Sequence, residues 1–224
     1  MLPVLYSFRR CPYAIRARYM IALLREPVYL REVVLKAKPP ELLALGGRSS
    51  VPQLVDMQGT RYPESLDIMY WALSRAKDRT LAESLYPISC VKRHKIASWM
   101  AYNDHFFKHW LDRYKYADRY PEGEASDYRA RAERFLRRLE GRLSQRAFLL
   151  GDTVSLADIA VFPFIRQFAG VDQAWFEAAD YPFVQAWLRG FTHSSLFNQV
   201  VMVKHPAWLA GQEEAIYPAS LTSL

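Results

Sequence analysis

The sequence predicts two unlike halves, a mixed α/β domain of order βαβαββα followed by an all-α helical domain. Two observations carry that reading. Short stretches of β-favouring residues, spaced by helical patterns, fill the chain as far as Lys77; they then stop, and long patterns of period 3.6 take over.

In order, Pro3 to Phe8 and Val28 to Leu35 are rich in Val, Tyr and Leu and read as strands. Between them Pro12 to Leu24 has the length and apolar spacing of a helix, so the three make a βαβ unit with parallel strands. Pro40 to Leu45 follows as a helical turn, Gln53 to Asp56 as a third strand, Gly59 as a turn and Thr60 to Tyr62 as a fourth strand. Glu64 to Ala76 closes the domain as a helix with Leu66, Met69, Tyr70 and Leu73 on one face. The expected domains are therefore residues 1–77, a polar linker at 78–87, and an all-helical domain at 88–224. Within the latter, Ile88 to Tyr116 reads as one long helix or a kinked pair, and Ser126 to Arg146, Leu156 to Phe168 and Pro182 to Thr192 as further helices. Ser155 and Asp158 have capping-box spacing just ahead of the apolar run that starts at Ile159.

Composition removes several classes of function. With 51% hydrophobic and 24% charged residues among 224, the chain can build a sizeable core. Its longest strongly apolar run, Ile159 to Ile165, falls far short of the roughly 20 residues a bilayer span needs. Arg9, Arg10 and Arg16 interrupt the amino terminus before a signal-like apolar segment can form, so a cytoplasmic location and no membrane partner are expected. Two cysteines, Cys11 and Cys90, are too few for a disulfide framework. His105 and His109 are spaced i, i+4 but belong to no ligand cluster, so no metal is expected.

The net charge of +7 raises the question of nucleic acid. Residues 1–77 hold 12 Lys+Arg against 6 Asp+Glu, whereas the remaining 147 hold 18 against 17. The most Arg-dense stretch, Tyr128 to Arg146, lies outside the basic half and carries Ala132, Phe135, Leu136, Leu139 and Leu143 as an apolar stripe. Its arginines read as a solvated helix face, and no nucleic-acid partner is expected.

Three short motifs bear chemistry. In Arg9-Arg10-Cys11-Pro12-Tyr13-Ala14 a cysteine stands where the first strand ends and the first helix begins, with Pro12 in the first helical position. The positive end of the helix and the nearby arginines should lower the thiol pKa below its reference of about 8.5; a buried, inert cysteine is the alternative. In Ser50-Val51-Pro52-Gln53 a proline leads into a strand. It belongs either to a special turn, with a cis bond that leaves the Val51 backbone open to a ligand, or to an ordinary edge strand. In Tyr62-Pro63-Glu64-Ser65 the Ser65 hydroxyl and first-turn amides would hold a carboxylate while Glu64 meets an ammonium group; a plain helix cap is the alternative.

The order and spacing of Cys11-Pro-Tyr-Ala14, Ser50-Val-Pro-Gln-Leu54 and Pro63-Glu-Ser65 resemble those of cysteine-type cytosolic glutathione transferases, nearest the omega class and dehydroascorbate reductases. They resemble more distantly the two-domain glutaredoxins, which carry a second cysteine where this chain has Ala14. Gly151-Asp-Thr-Val-Ser-Leu-Ala-Asp158 is similar to the capping segment of the same family, so the resemblance spans nearly the whole chain. It implies a thioredoxin-like first domain, glutathione as co-substrate, Cys11 facing the glutathione sulfur, and a homodimer with the helix from Glu64 to Ala76 and Arg75 near the two-fold axis. It implies further that Lys38 reaches the glycyl carboxylate, that Val51 pairs its backbone with the cysteinyl moiety, and that Glu64 and Ser65 hold the γ-glutamyl end. Gly46-Gly-Arg-Ser49 departs from the family pattern at the loop between them.

Thiol transfer or reduction through a Cys11 thiolate is the leading expectation. Conjugation of glutathione to an electrophile, with a hydroxyl such as Ser7 or Tyr6 supporting the glutathione thiolate, is the rival. A non-catalytic interaction protein of the same fold is the third reading. Trp99, Tyr102, Phe106, Phe107, Trp110 and Tyr114 make the first long helix of the second domain densely aromatic, most of them as core and a few as pocket lining.

Overall fold

The computed structural model describes residues 1–219, which divide into two compact units: residues 1–79 together with 193–219, and residues 80–192.

The first unit is built on a five-stranded sheet. Strands β1 (Val4–Ser7) and β2 (Val28–Glu32) flank helix α1 (Pro12–Leu23) and pair in parallel, with Val4 opposite Tyr29 and Ser7 opposite Glu32. The short helix α2 (Pro40–Ala44) leads to β3 (Gln53–Val55) and β4 (Arg61–Tyr62), an antiparallel pair that joins β1, and α3 (Ser65–Arg75) follows. Gly59 turns between β3 and β4 at φ 81°, a left-handed conformation open to glycine. Both faces of α1 are buried. Leu5, Ile15, Met20, Ile21 and Leu54 are inaccessible core, and α1 packs on α3 and on a π-helical turn at Phe197–Val201.

That last contact marks a departure from the expected domain limits, since residues 193–219 belong to the first unit rather than the helical one. Their anchor is a strand, β5 (Ala215–Tyr217), antiparallel to β2, which completes the order β4-β3-β1-β2-β5. Two arginines reinforce the join. Arg18, fully buried, pairs with Glu32 at 3.1 Å, donates to the Val203 carbonyl at 3.3 Å and lies over the Tyr217 ring. Arg31 is ion-paired with Glu214 and stands 4.0 Å from the Trp208 ring centroid. The stretch expected as a linker is also partly ordered, as helix α4 (Arg79–Leu85).

The second unit is all-helical. Helix α5 (Cys90–Ala101) runs through a π-helical turn (Tyr102–Phe107) into α6 (Lys108–Lys115), then α7 (Ala125–Leu143), α8 (Leu156–Ala169), α9 (Gln173–Ala178) and α10 (Pro182–Thr192) follow. The stripe Ala132, Phe135, Leu136 and Leu139 is wholly buried, and Phe107 stacks on Phe135 with centroids 4.7 Å apart. Helix α8 is apolar on every side and correspondingly buried from Leu156 to Ile165. Its start is fixed by Asp158, which accepts from the backbone amides of Ser155 and Leu149 at 2.9 Å and from Trp187 Nε1 at 3.0 Å. Burial pushes this carboxyl up from its ordinary pKa, while those donors favour the ionised form.

Candidate active site

Cys11 is the N-cap of α1, with extended backbone and Pro12 in the first turn. Its amide donates to the Phe8 carbonyl and its carbonyl accepts from Ile15, so the sulfur is carried on a fixed turn at the positive end of the helix. The thiol is partly exposed and donates to the Val51 carbonyl across 3.7 Å. The turn is held from below by Glu32, whose carboxylate accepts from the Arg9 amide at 2.7 Å. The flanking arginines have contacts of their own. The Arg9 guanidinium donates to the Met202 carbonyl, Arg10 is exposed over the Phe8 ring, and Arg16 is fully buried over Tyr13. The helix terminus expected to favour thiolate is thus in place beneath the sulfur.

Val51 precedes a cis peptide bond to Pro52, and its N–H has no hydrogen-bond partner among the described residues. Loop 46–51 touches two of the other expected site residues as well. Ser49 accepts from Lys38 Nζ at 2.9 Å, and Arg48 stands 3.9 Å from Glu64 at the start of α3. Glu64 is the N-cap by its backbone, which accepts from Ile68, while its carboxylate is exposed and makes no cap bond. Ser65 is 3% exposed, and its hydroxyl has no partner among the described residues. Cys11 and Val51 are thus in contact, Lys38 and Glu64 are reached through the loop that Val51 ends, and Ser65 follows Glu64 at the start of α3.

Sequence reasoning missed what holds that loop. Arg61, on β4, donates to the carbonyls of Leu45 at 2.8 Å, Gly46 at 2.6 Å and Arg48 at 2.9 Å, and to Gln53 Oε1 at 2.8 Å. Gln53, fully buried, donates its amide to the carbonyls of Arg48 and Ser50. The pair fastens the backbone that leads to Val51. Gly46 and Gly47, both at positive φ, let the chain wrap the guanidinium.

The hydroxyl groups weighed as alternatives lie deeper. Tyr6 is 3% exposed and accepts from Arg31 Nη1 at 2.7 Å; burial pushes its phenol pKa up. Ser7 is wholly buried, with an unpartnered oxygen. Among the described residues no group of three or more His, Cys, Asp or Glu is placed to hold a metal, and no helix is long and apolar enough to cross a membrane.

Residues 5–80 match the family model for the glutathione S-transferase N-terminal domain and residues 108–190 that for the C-terminal domain. Among solved structures the fold is similar to a possible glutathione S-transferase from Rhodopseudomonas palustris, 22% identical, covering 92% of this chain and 100% of that one with a TM-score of 0.75. It is also similar to a glutathione transferase family member from Pseudomonas fluorescens with two glutathione molecules bound: 20% identity, 88% and 91% coverage, TM-score 0.74. A third is a glutathione transferase from Phanerochaete chrysosporium in complex with oxidised glutathione: 16% identity, 88% and 94% coverage, TM-score 0.75. No curated protein matches the chain.

Proposed function

Because the chain belongs to the glutathione S-transferase superfamily, both of whose domains its sequence matches, we propose that it is a glutathione-dependent thiol transferase of omega-like type working through Cys11. The observation that carries the proposal is the Cys11 thiol on the α1 terminus, partly exposed and 3.7 Å from the Val51 carbonyl, while Tyr6 and Ser7 are buried. A conjugating enzyme needs a donor for the glutathione thiolate, and neither hydroxyl is presented for that work.

In this reading the Cys11 thiolate attacks the glutathionyl sulfur of a mixed disulfide. A Cys11–glutathione disulfide forms, the acceptor leaves as thiolate and takes a proton from solvent, and the acceptor is reduced. A second glutathione, as thiolate, attacks the glutathionyl sulfur of that disulfide, giving oxidised glutathione and restoring Cys11. No second cysteine is required, and Cys90, exposed at the start of α5, takes no part. Glutathione itself would lie with its γ-glutamyl carboxylate at the α3 terminus on Ser65, its ammonium at Glu64, its cysteinyl backbone on Val51 and its glycyl carboxylate near Lys38. The unpartnered Val51 N–H and Ser65 hydroxyl support those two contacts.

A chemistry that consumes reduced glutathione suits a reducing compartment, so we assign the chain to the cytoplasm. We also propose a homodimer through α3, which exposes Tyr70 on its outer surface; light scattering should give twice the 26.1 kDa of one chain. The function is tested by assaying the purified protein in parallel with a glutathione mixed disulfide, dehydroascorbate and a chlorinated aromatic electrophile. Activity towards the first two that is lost in Cys11→Ser supports thiol transfer. Activity towards the electrophile alone, retained in Cys11→Ser, would replace it with conjugation.

A further inference from the structure

Helix α7 presents Arg131, Arg134, Arg138 and Arg142 along one face, and the α5–α6 helix answers with Trp99, Tyr102, Phe106 and Trp110 at matching spacing. The two series interlock. Arg131 lies 4.7 Å from the Trp110 centroid, Arg134 5.5 Å from Phe106, and Arg138 5.2 Å from Tyr102 and 5.4 Å from Trp99. The solvated arginine face expected from sequence is therefore laid over half-buried rings.

At its far end the ladder opens into a cavity of about 420 Å³ lined by Lys95, Trp99, Tyr102, Arg138 and Arg142 over Leu149. That volume falls within the range of small-molecule pockets. No carboxylate lines it, and Lys95, Arg138 and Arg142 have no ion pair among the described residues; the neighbouring Arg129 and Arg137 both stand on Glu133 instead. The Arg142 Nε donates to the Leu149 carbonyl at 2.6 Å, which steadies the group. The Arg138 guanidinium, lying over the Trp99 and Tyr102 rings, keeps its N–H edge available for bidentate bonding to an oxyanion, and Arg142 keeps its terminal N–H groups. Aromatic walls beside uncompensated cations select a ligand that is flat and negative at one end.

We propose that this cavity binds a planar aromatic carboxylate, its ring against Trp99 and Tyr102 and its carboxylate on Arg138 and Arg142, with Lys95 adding charge at the mouth. The site lies wholly within residues 95–150 and does not depend on Cys11 chemistry.

The test is calorimetric titration of the full chain with 2-naphthoate and with its uncharged counterpart 2-naphthamide, at low salt and with saturating glutathione present. One naphthoate should bind per chain, with the amide at least about tenfold weaker. Arg142→Gln should lose about tenfold in affinity and Lys95→Gln, a surface change that spares the ring packing, about threefold, while Arg137→Gln should bind as the parent. Equal affinity for acid and amide, unchanged affinity in both Arg142→Gln and Lys95→Gln, or no naphthoate binding at millimolar concentration would each overturn the proposal.

Discussion

At the scale of single residues, the sulfur of Cys11 and the hydroxyl of Ser65 share one physical setting, a helix amino terminus whose first amides have no partner within the helix. For Cys11 the consequence is acidity, and the thiol pKa should fall below about 7.5 against a reference near 8.5. Iodoacetamide at pH 6.5 should therefore label Cys11 much faster than Cys90, although Cys90 is the more exposed. Comparable rates at the two sulfurs would remove the thiolate. For Ser65 and Glu64 the consequence is ligand affinity. Each would lose a charge-assisted hydrogen bond on replacement by alanine, roughly 1.5 to 3 kcal/mol, so glutathione should bind about ten- to a hundredfold more weakly to Glu64→Ala and Ser65→Ala. Calorimetry on both, alongside thermal melts that stay close to the parent, checks this.

At the scale of elements, two polar hubs set the geometry of longer stretches. Arg61 holds the loop from Leu45 to Arg48, so Arg61→Met should raise the KM for glutathione roughly tenfold through misplacement of the loop. The Cys11 alkylation rate without glutathione should change far less, because the sulfur is carried by the α1 terminus and the loop reaches it through the Val51 carbonyl at 3.7 Å. Asp158 holds the start of α8, and Asp158→Ala would leave the Leu149 and Ser155 amides and Trp187 Nε1 unsatisfied. At about 1 kcal/mol or more each, the loss is at least about 3 kcal/mol, or a fall in Tm of roughly 6 to 12 °C. A melt within about 2 °C of the parent would mean that water replaces the carboxylate. The two hubs were unequally legible in the sequence. Asp158 declares itself by capping-box spacing, because it acts on an amide a fixed number of positions away, and Cys11 declares itself by its place before Pro12 at a helix start. Arg61 bonds mainly to carbonyls, which every residue carries, so nothing in the identities of its partners points back to it. The π-helical turn at Tyr102–Phe107 was equally hidden, since one widened turn barely alters the apolar spacing of the long helix.

At the scale of the whole molecule, the chain returns to its first unit after the helical one, and that return is what local periodicity could not reveal. A three-residue strand has too few positions for an alternating pattern, and β5 pairs with β2 across more than 180 positions. The return has energetic weight. Phe197, Val200, Val201, Trp208 and Tyr217 are all buried, and at about 1.5 to 3 kcal/mol each their removal would forfeit on the order of 10 kcal/mol, comparable with the whole stability of a domain. Their loss would also strip Arg18 of the Val203 carbonyl and the Tyr217 ring, and Arg31 of Glu214 and Trp208, while leaving Glu32 to a partly unsheathed cation. A chain ending at Thr192 should accordingly keep the helical unit, seen as strong helical circular dichroism and resistance of residues 80–192 to proteolysis, yet lose glutathione binding and protection of residues 1–79. The same chain with Arg31→Leu and Arg18→Leu should regain little, because the exposed β2 edge and the bared face of α1 remain. Glutathione binding at parental affinity by the shortened chain would show instead that β1 to α3 form a self-sufficient fold and that residues 193–219 only cover it.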